Sequence, residues 1–174
     1  SGKVKLLGHD PGDPGVRSRV GFLPENPYFY TYLTGRAFLV FCGDLFGIPH
    51  AERDKRIEEL LDLVSMRKAA DPQLRKYSKG MLQRIGIAQA LINDPELVFL
   101  DEPTSGLDPL GHRQIGEIID QLKARGKTLF FNSHIMTDVQ RICDRIAILH
   151  KGKLVAIGTI DELLVGSESL EDCF

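Results

Sequence analysis

The stretch that most constrains the fold is 97–109, LVFLDEPTSGLDP. Four apolar residues run directly into Asp101 and Glu102, and such a run predicts a strand buried on both faces of a parallel sheet. The two carboxylates would lie at the carboxyl end of that strand, where open α/β folds bind ligands. Charges beside a core strand are costly unless a magnesium–phosphate group offsets them. The alternative is a solvated acidic turn, but the Pro and Gly residues around Asp108 specify a rigid loop instead.

Composition bounds the possible functions. A chain of 174 residues with 43% hydrophobic residues predicts one domain, or most of one. A net charge of −2 gives nucleic-acid binding no electrostatic support. Three scattered cysteines indicate a reducing compartment and argue against metal binding by thiols. The longest apolar stretch, 37–42, is far shorter than the ~20 residues of a membrane helix, so a membrane role would require a partner.

Periodicity and turn signals predict helices that alternate with strands. Strands are predicted at 3–7, 19–23, 97–100, 128–131, 145–149 and 154–157. Helices are predicted at 35–46, 50–65, 78–92, between 109 and 126, at 137–143, and after a capping box formed by Thr159 and Glu162. The alternation over 78–149 predicts parallel β-α units with buried strands, whereas 3–7 is predicted to be an edge or antiparallel strand.

Two further stretches carry residues suited to phosphate chemistry. Ser78 and Gly80 in YSKGM open a helix, whose free N–H groups and dipole favour an anion. An ordinary N-cap is the alternative for this stretch. His134 follows a predicted strand at the same level as the two acids, where it could contact a terminal phosphate. A histidine that simply stabilises its loop is the alternative.

An aromatic loop at 28–32 follows Glu25. Three tyrosines and a phenylalanine in five residues are typical either of an interface with another subunit or of a small local core under the loop. The sequence leaves both interpretations open.

The order of these motifs resembles the nucleotide-binding domain of the ATP-binding cassette (ABC) transporter family. The match is closest over 77–109, YSKGMLQRIGIAQALINDPELVFLDEPTSGLDP, and GFLPENPYFY and YSKGM are similar to ABC-2 exporters. The resemblance implies an α/β, P-loop NTPase-like parallel sheet with flanking helices and an N-terminal antiparallel β piece. It implies a catalytic core formed by 1–33 and 93–174 and a helical, signature-bearing subdomain at about 34–92.

The resemblance also implies roles for the residues nearest the chemistry. Asp101 would hold Mg²⁺, Glu102 would be the general base that polarises the hydrolytic water, and His134 would contact the γ-phosphate of ATP. Asp108 would belong to the loop that communicates across a dimer. The resemblance thus implies an ATPase that uses ATP and Mg²⁺.

The remaining implied roles involve partner subunits. Ser78 and Gly80 would contact nucleotide held by the opposite ATP-binding subunit, as in a homodimer. Glu25 stands where the family usually carries Gln, at a position that contacts magnesium and the transmembrane permease. Lys79 replaces a family glycine and adds a cation beside the signature. The expected location is cytoplasmic, at the inner face of the membrane, with no nucleic-acid partner.

The motif G-x-x-x-x-G-K-[ST], the P-loop that cradles phosphates, does not occur in the sequence. Gly126-Lys127-Thr128 is not a P-loop, because Gln121 occupies the first glycine position and a strand follows. The family order places the loop upstream of residue 1, so we expect a truncated cassette domain that also stops within SLEDCF and is inactive alone. Alternatives are a non-hydrolytic remnant or interaction module, and a soluble ABC ATPase not engaged in transport.

Overall fold

The computed structural model describes residues 2–163, which belong to two compact units, Ser1–Asn132 and Ser133–Phe174. The first unit contains α1 (Pro14–Arg17), β1 (Val20–Leu23), α2 (Gly35–Leu45), α3 (His50–Leu63), α4 (Lys79–Ala90), β2 (Leu97–Asp101), α5 (Pro109–Ala124) and β3 (Thr128–Asn132). Two short 3₁₀ turns, Arg67–Ala69 and Leu74–Lys76, connect α3 to α4. The second unit contains α6 (Met136–Ile142), β4 (Arg145–His150), β5 (Lys153–Thr159) and α7 (Ile160–Leu163).

A parallel sheet forms the centre of the first unit. Its strand order is β1-β2-β3, with both pairs parallel. The β2–β3 pair confirms the parallel β-α unit predicted within 78–149, whereas the parallel pairing of β1 with β2 was not predicted. On one face of the sheet, Val98 and Leu100 are buried. Helix α4 covers this face, and the absence of a side chain at Gly21 of β1 lets the α4 backbone at Ala90 come close. On the other face Phe99 and Phe130 pack with ring centroids 5.4 Å apart, and Phe130 is 60% exposed.

The expectation of strands buried on both faces is therefore wrong for β2 and β3. Side chains alternate between the two faces of a strand, so an unbroken apolar run places as many on the uncovered face as on the covered one. Along β3 the side chains alternate between exposed and half-buried, and no other strand of the described residues pairs with its outer edge.

The helices between β1 and β2 form as the sequence predicts. Thr34 caps α2 by accepting a hydrogen bond from the Ala37 N–H at 3.1 Å. The apolar stripe of α3, including Ile57 and Leu61, is buried. Ion pairs of Arg36 with Glu58 and of Arg67 with the same carboxylate join α2, α3 and the following 3₁₀ turn.

The antiparallel β piece is not at the N-terminus, which corrects the fold prediction. Residues 3–7 form only a bridge between Leu6 and His9, and Val4 is 64% exposed. Polar–apolar alternation does not make a strand without a neighbouring backbone to pair with.

The antiparallel piece consists instead of β4 and β5 in the second unit. Lys151 and Gly152 between them both have positive φ, 48° and 75°, as in a type I′ turn, which reverses the chain. The prediction of parallel β-α units through residue 149 is therefore wrong for β4. The capping box is confirmed: Glu162 N–H donates to Thr159 Oγ1 at 3.2 Å, and Thr159 N–H donates to Glu162 Oε2 at 2.8 Å.

The SLEDCF segment, 169–174, lies outside the described residues. Within the described part of the chain, no helix combines the length and the apolar character that crossing a bilayer requires.

Candidate functional site

The carboxyl ends of three parallel strands define the candidate site. Asp101 at the end of β2 pairs in register with Asn132 at the end of β3, and Leu23 ends β1 at the same edge. Glu25 lies in the exposed loop just after β1, whereas Asp101 and Glu102 are half-buried. The structure therefore brings Asp101 and Glu102 to the carboxyl edge of the sheet, as the sequence predicts, and the parallel pairing of β1 places the Glu25 loop at the same edge.

Glu102 has an unusual backbone. Its φ is 47°, in the left-handed region that non-glycine residues rarely occupy. Its N–H donates to the backbone oxygen and to Oδ1 of Asn132, both at 3.2 Å, and its carbonyl oxygen accepts from Ser105 N–H at 3.0 Å. Such conformations concentrate at functional sites, where surrounding contacts maintain them. The sequence contained no signal for this feature.

The loop after Glu102 leads directly into α5. Asp108 is the N-cap of that helix, with Oδ1 accepting from Gly111 N–H at 2.8 Å. This capping role was not predicted from the sequence, although an Asp-Pro pair at a helix start was a usable signal for it. Thr104 is buried at 1% exposure, and its Oγ1 has no hydrogen-bond partner within the described residues.

The stretch 77–81, YSKGM, which we call the signature stretch, leads into α4. Ser78 is its N-cap, and Ser78 Oγ accepts from Met81 N–H at 3.3 Å, so the capping role is present whatever ligand the terminus takes. A methyl group on Gly80 would lie 3.8 Å from Leu107 Cδ2, and one on Gly106 would lie 3.3 Å from Lys79 Cε. The start of α4 therefore lies against the loop that follows Glu102.

Arg84 lies one turn further along α4. Its Nε donates to the Gly80 carbonyl oxygen at 3.3 Å, and burial lowers the pKa of its guanidinium. The cation is held against the backbone of the signature turn.

His134 belongs to the second unit. Its side chain is exposed, and the preceding serine, Ser133, accepts a hydrogen bond from Ile135 N–H at 3.1 Å through its Oγ. The role given to His134 stays a prediction.

Within residues 2–163, no three or more His, Cys, Asp or Glu side chains are grouped to hold a metal ion. Burial raises the pKa of the Cys42 thiol to about 11, so it is protonated at neutral pH. Magnesium is commonly bound by one or two carboxylates together with substrate phosphates, and Asp101 with Glu102 suits that pattern.

The aromatic loop divides into a buried and an exposed part. Phe29 is 8% exposed and packs on Phe38 of α2 with centroids 5.3 Å apart. Tyr28 is 85% exposed and Tyr32 67%, while Tyr30 packs edge-on against Phe41. The phenylalanine belongs to the core, and the three tyrosines with Phe41 form an exposed group that we call the tyrosine patch.

An open cleft of about 380 Å³ contains none of the predicted site residues. Ser18, Asn93 and Asp94 line one wall, next to the amino ends of β1 and β2, so the cleft is at the edge of the sheet opposite the carboxylates. Arg56 of the facing wall pairs with Asp94 at 2.5 Å. Chemistry at the carboxyl ends of the strands, and not cavity size, therefore identifies the candidate site.

Comparison with known proteins establishes the family. Residues 1–105 match the ABC transporter family, and the chain belongs to it. An uncharacterized ABC transporter ATP-binding protein of Nostoc is 61% identical over 170 residues, 97% of this chain and 50% of that protein. The linearmycin resistance ATP-binding protein LnrL of Bacillus subtilis is 36% identical over 94% of this chain and 53% of its own length.

A solved structure shows that the chain has the fold of an ABC transporter ATP-binding subunit. The ATP-binding subunit of an ABC transporter superposes with a TM-score of 0.82 at 30% identity, covering 96% of this chain and 72% of that one. The chain spans about half the length of the curated relatives it matches. The prediction of an ABC transporter ATP-binding domain similar to those of ABC-2 exporters is confirmed, and membership of the family implies ATP binding.

Proposed function

We propose that the chain is part of an ATP-binding subunit that couples ATP binding and hydrolysis to transport through a partner permease. The observation that carries the proposal is the Asp101–Glu102 pair at the carboxyl end of the central parallel strand, in a chain of the ABC transporter family. The relatives' names support a transport role, since one is a linearmycin resistance ATP-binding protein and another a bacitracin transport ATP-binding protein.

Asp101, Glu102 and His134 each have a distinct proposed task. Asp101 provides a hard oxygen ligand suited to Mg²⁺. Glu102, next along the chain, accepts a proton from the attacking water as general base. His134 donates a hydrogen bond to the terminal phosphate. Magnesium, when bound, supplies charge neutralisation for the phosphates.

The start of α4 and the following loop are proposed to act between two ATP-binding subunits. The first-turn N–H groups after Ser78, with Gly80, face nucleotide bound to the opposite subunit, since a helix N-terminus favours an anion. Asp108 and its loop transmit the state of one site to the other. Glu25 contacts the magnesium region and the permease, and residues 34–92 act as the helical subdomain.

The tyrosine patch is proposed as the contact with the permease, which puts the subunit at the cytoplasmic face of the membrane. Exposed aromatic side chains in one patch favour an interface. Tyr28→Ser with Tyr30→Ser should uncouple transport from ATP hydrolysis without lowering basal hydrolysis. Leu110→Ser, at another exposed apolar side chain (60%), is the matched control and should affect neither. Unfolding of the double variant would instead support a local core.

We further propose that the 174 residues alone do not hydrolyse ATP. They contain no G-x-x-x-x-G-K-[ST] motif, so the β- and γ-phosphates would lack a backbone cradle and a lysine. Asp101 and Glu102 would face a polyanion of like charge, and magnesium dehydrates too reluctantly to bridge them well.

Calorimetric titration with Mg-ATP and light scattering test this proposal. We expect no tight binding, and self-association through the open edge of β3, because unpaired strand edges recruit other chains. A stable monomer that binds ATP at micromolar concentration would contradict it.

A non-hydrolytic cassette module is the second candidate function, because the sequence contains no P-loop. The two candidates separate when the chain is assayed with its permease and a second ATP-binding subunit. Hydrolysis that depends on Glu102 supports the ATPase, and transporter assembly without any such dependence supports the module. A soluble ABC ATPase acting on nucleic acid is disfavoured by the net charge of −2.

A further inference from the structure

Asn132 supplies both acceptors for the backbone N–H of Glu102. The backbone oxygen of Asn132 and its side-chain Oδ1 each lie 3.2 Å from that nitrogen, in a three-centre hydrogen bond. Asn132 also ends β3 directly opposite Asp101 in the register. Asn132, at the end of the edge strand β3, therefore binds the backbone at the residue where β2 passes into the following loop.

This contact acts on a strained residue. With φ at 47°, Glu102 is in the left-handed conformation, which is unfavourable for a side chain with a Cβ. A backbone oxygen is available whatever residue ends β3. The second acceptor, 3.2 Å from the Glu102 nitrogen, is the side-chain oxygen of Asn132, so this hydrogen bond depends on which residue occupies position 132.

We propose that Asn132 is a positioning residue for Glu102: its side-chain oxygen fixes the left-handed backbone from which the Glu102 carboxylate leaves the strand. The catalytic meaning of this inference rests on the proposed role of Glu102 as general base, whereas the conformational part does not. Asparagine suits the position because its amide is neutral. Aspartate would provide the same acceptor but would add a third carboxylate beside Asp101 and Glu102.

Solution NMR of the ATP-binding subunit that contains these residues tests the inference without requiring ATP hydrolysis. The readouts are the hydrogen-exchange rate of the Glu102 amide and the intensity of its intraresidue Hα–HN NOE. This NOE is strong at positive φ because the two protons then lie close together. Asn132→Ala should raise the exchange rate by roughly three- to tenfold, the equivalent of one ordinary hydrogen bond, and weaken the cross-peak. Asn132→Asp should restore both, since it keeps the acceptor oxygen.

Two controls separate positioning from general destabilisation. Thr128→Ala changes the exposed residue at the other end of β3 and should leave both Glu102 signals unchanged. Asn132→Gln keeps the amide but displaces its oxygen by one methylene, so it should behave like the alanine variant. Glu102 signals that are the same in Asn132→Ala and the parent, or that change equally in Thr128→Ala, would overturn the inference.

The catalytic part is tested by hydrolysis in the assembled transporter. Asn132→Ala should lower kcat with little change in KM, because a displaced base affects the chemical step and not substrate binding. An unchanged kcat would overturn the positioning role. If Glu102→Gln leaves hydrolysis unchanged while the NMR results hold, the proposed function fails and the conformational inference stands.

Discussion

Replacing Gly21 with alanine should destabilise the first unit by overlap with α4. A methyl group at Gly21 would lie 3.1 Å from both the Ala90 carbonyl carbon and Pro95 Cγ, and closer still to the Ala90 oxygen. Because that oxygen belongs to the helix backbone, no rotamer change relieves the overlap. Overpacking of this kind costs about 3 kcal/mol, and the lower entropy of an unfolded alanine chain returns about 0.5–1 kcal/mol. We expect a net loss of about 2 kcal/mol.

Urea unfolding followed by far-ultraviolet circular dichroism measures this loss, and a loss of this size lowers Tm by roughly 4–8 °C. Gly80→Ala is the matched control, since a methyl there makes an ordinary 3.8 Å contact with Leu107 inside a helix. Because Gly80 lies in the first turn of α4 and not in its interior, the free energy of unfolding should stay within about 0.5 kcal/mol of the parent. If the free energy of unfolding of Gly21→Ala stays within about 0.5 kcal/mol of the parent value, the prediction that β1 packs closely on α4 at this residue is wrong.

Two further predictions concern single side chains. Asp108→Ala should cost about 1 kcal/mol in urea unfolding through loss of the α5 cap, and Asp108→Asn should retain most of the stability; equal losses would contradict the capping role. Hydrogen bonds from Lys127 and from Arg56 lower the pKa of Asp94, so its contribution to stability is present at neutral pH and is lost as pH falls through that pKa. Asp94 has a left-handed backbone that Asn tolerates. Asp94→Asn should therefore lower the free energy of unfolding at pH 7, and the difference from the parent should shrink below about pH 4. A deficit that does not change with pH would contradict this.

Local signals predicted much of the fold. The N-caps Thr34 and Ser78 and the apolar run before Asp101 each act over a few residues, so the sequence shows them directly. The position of Asp101 and Glu102 at the carboxyl edge of the sheet could be predicted because parallel strands end together, whereas the pairing of β1 that brings Glu25 to this edge was not predicted.

The remaining features depend on pairing between distant segments. Whether Phe130 is buried depends on what covers the second face of the sheet, which the apolar pattern of β3 alone does not specify. The partner of β4 is decided by the turn at Lys151, and the left-handed Glu102 by acceptors on a different strand. Residues 3–7 alternate like a strand but have no pairing strand in the described chain.

Hydrolysis by the assembled transporter carrying Glu102→Gln tests the central claim most directly. The substitution keeps the size of the side chain and one acceptor oxygen but removes the negative charge and the proton acceptor. Hydrolysis should fall by about 10²–10⁴-fold while ATP remains bound and the two ATP-binding subunits stay together. Glu117→Gln, at the exposed acid that pairs with Arg113 at 3.6 Å, is the control and should hydrolyse ATP at the parent rate. Near-parental hydrolysis by Glu102→Gln would contradict the assignment of Glu102 as the base.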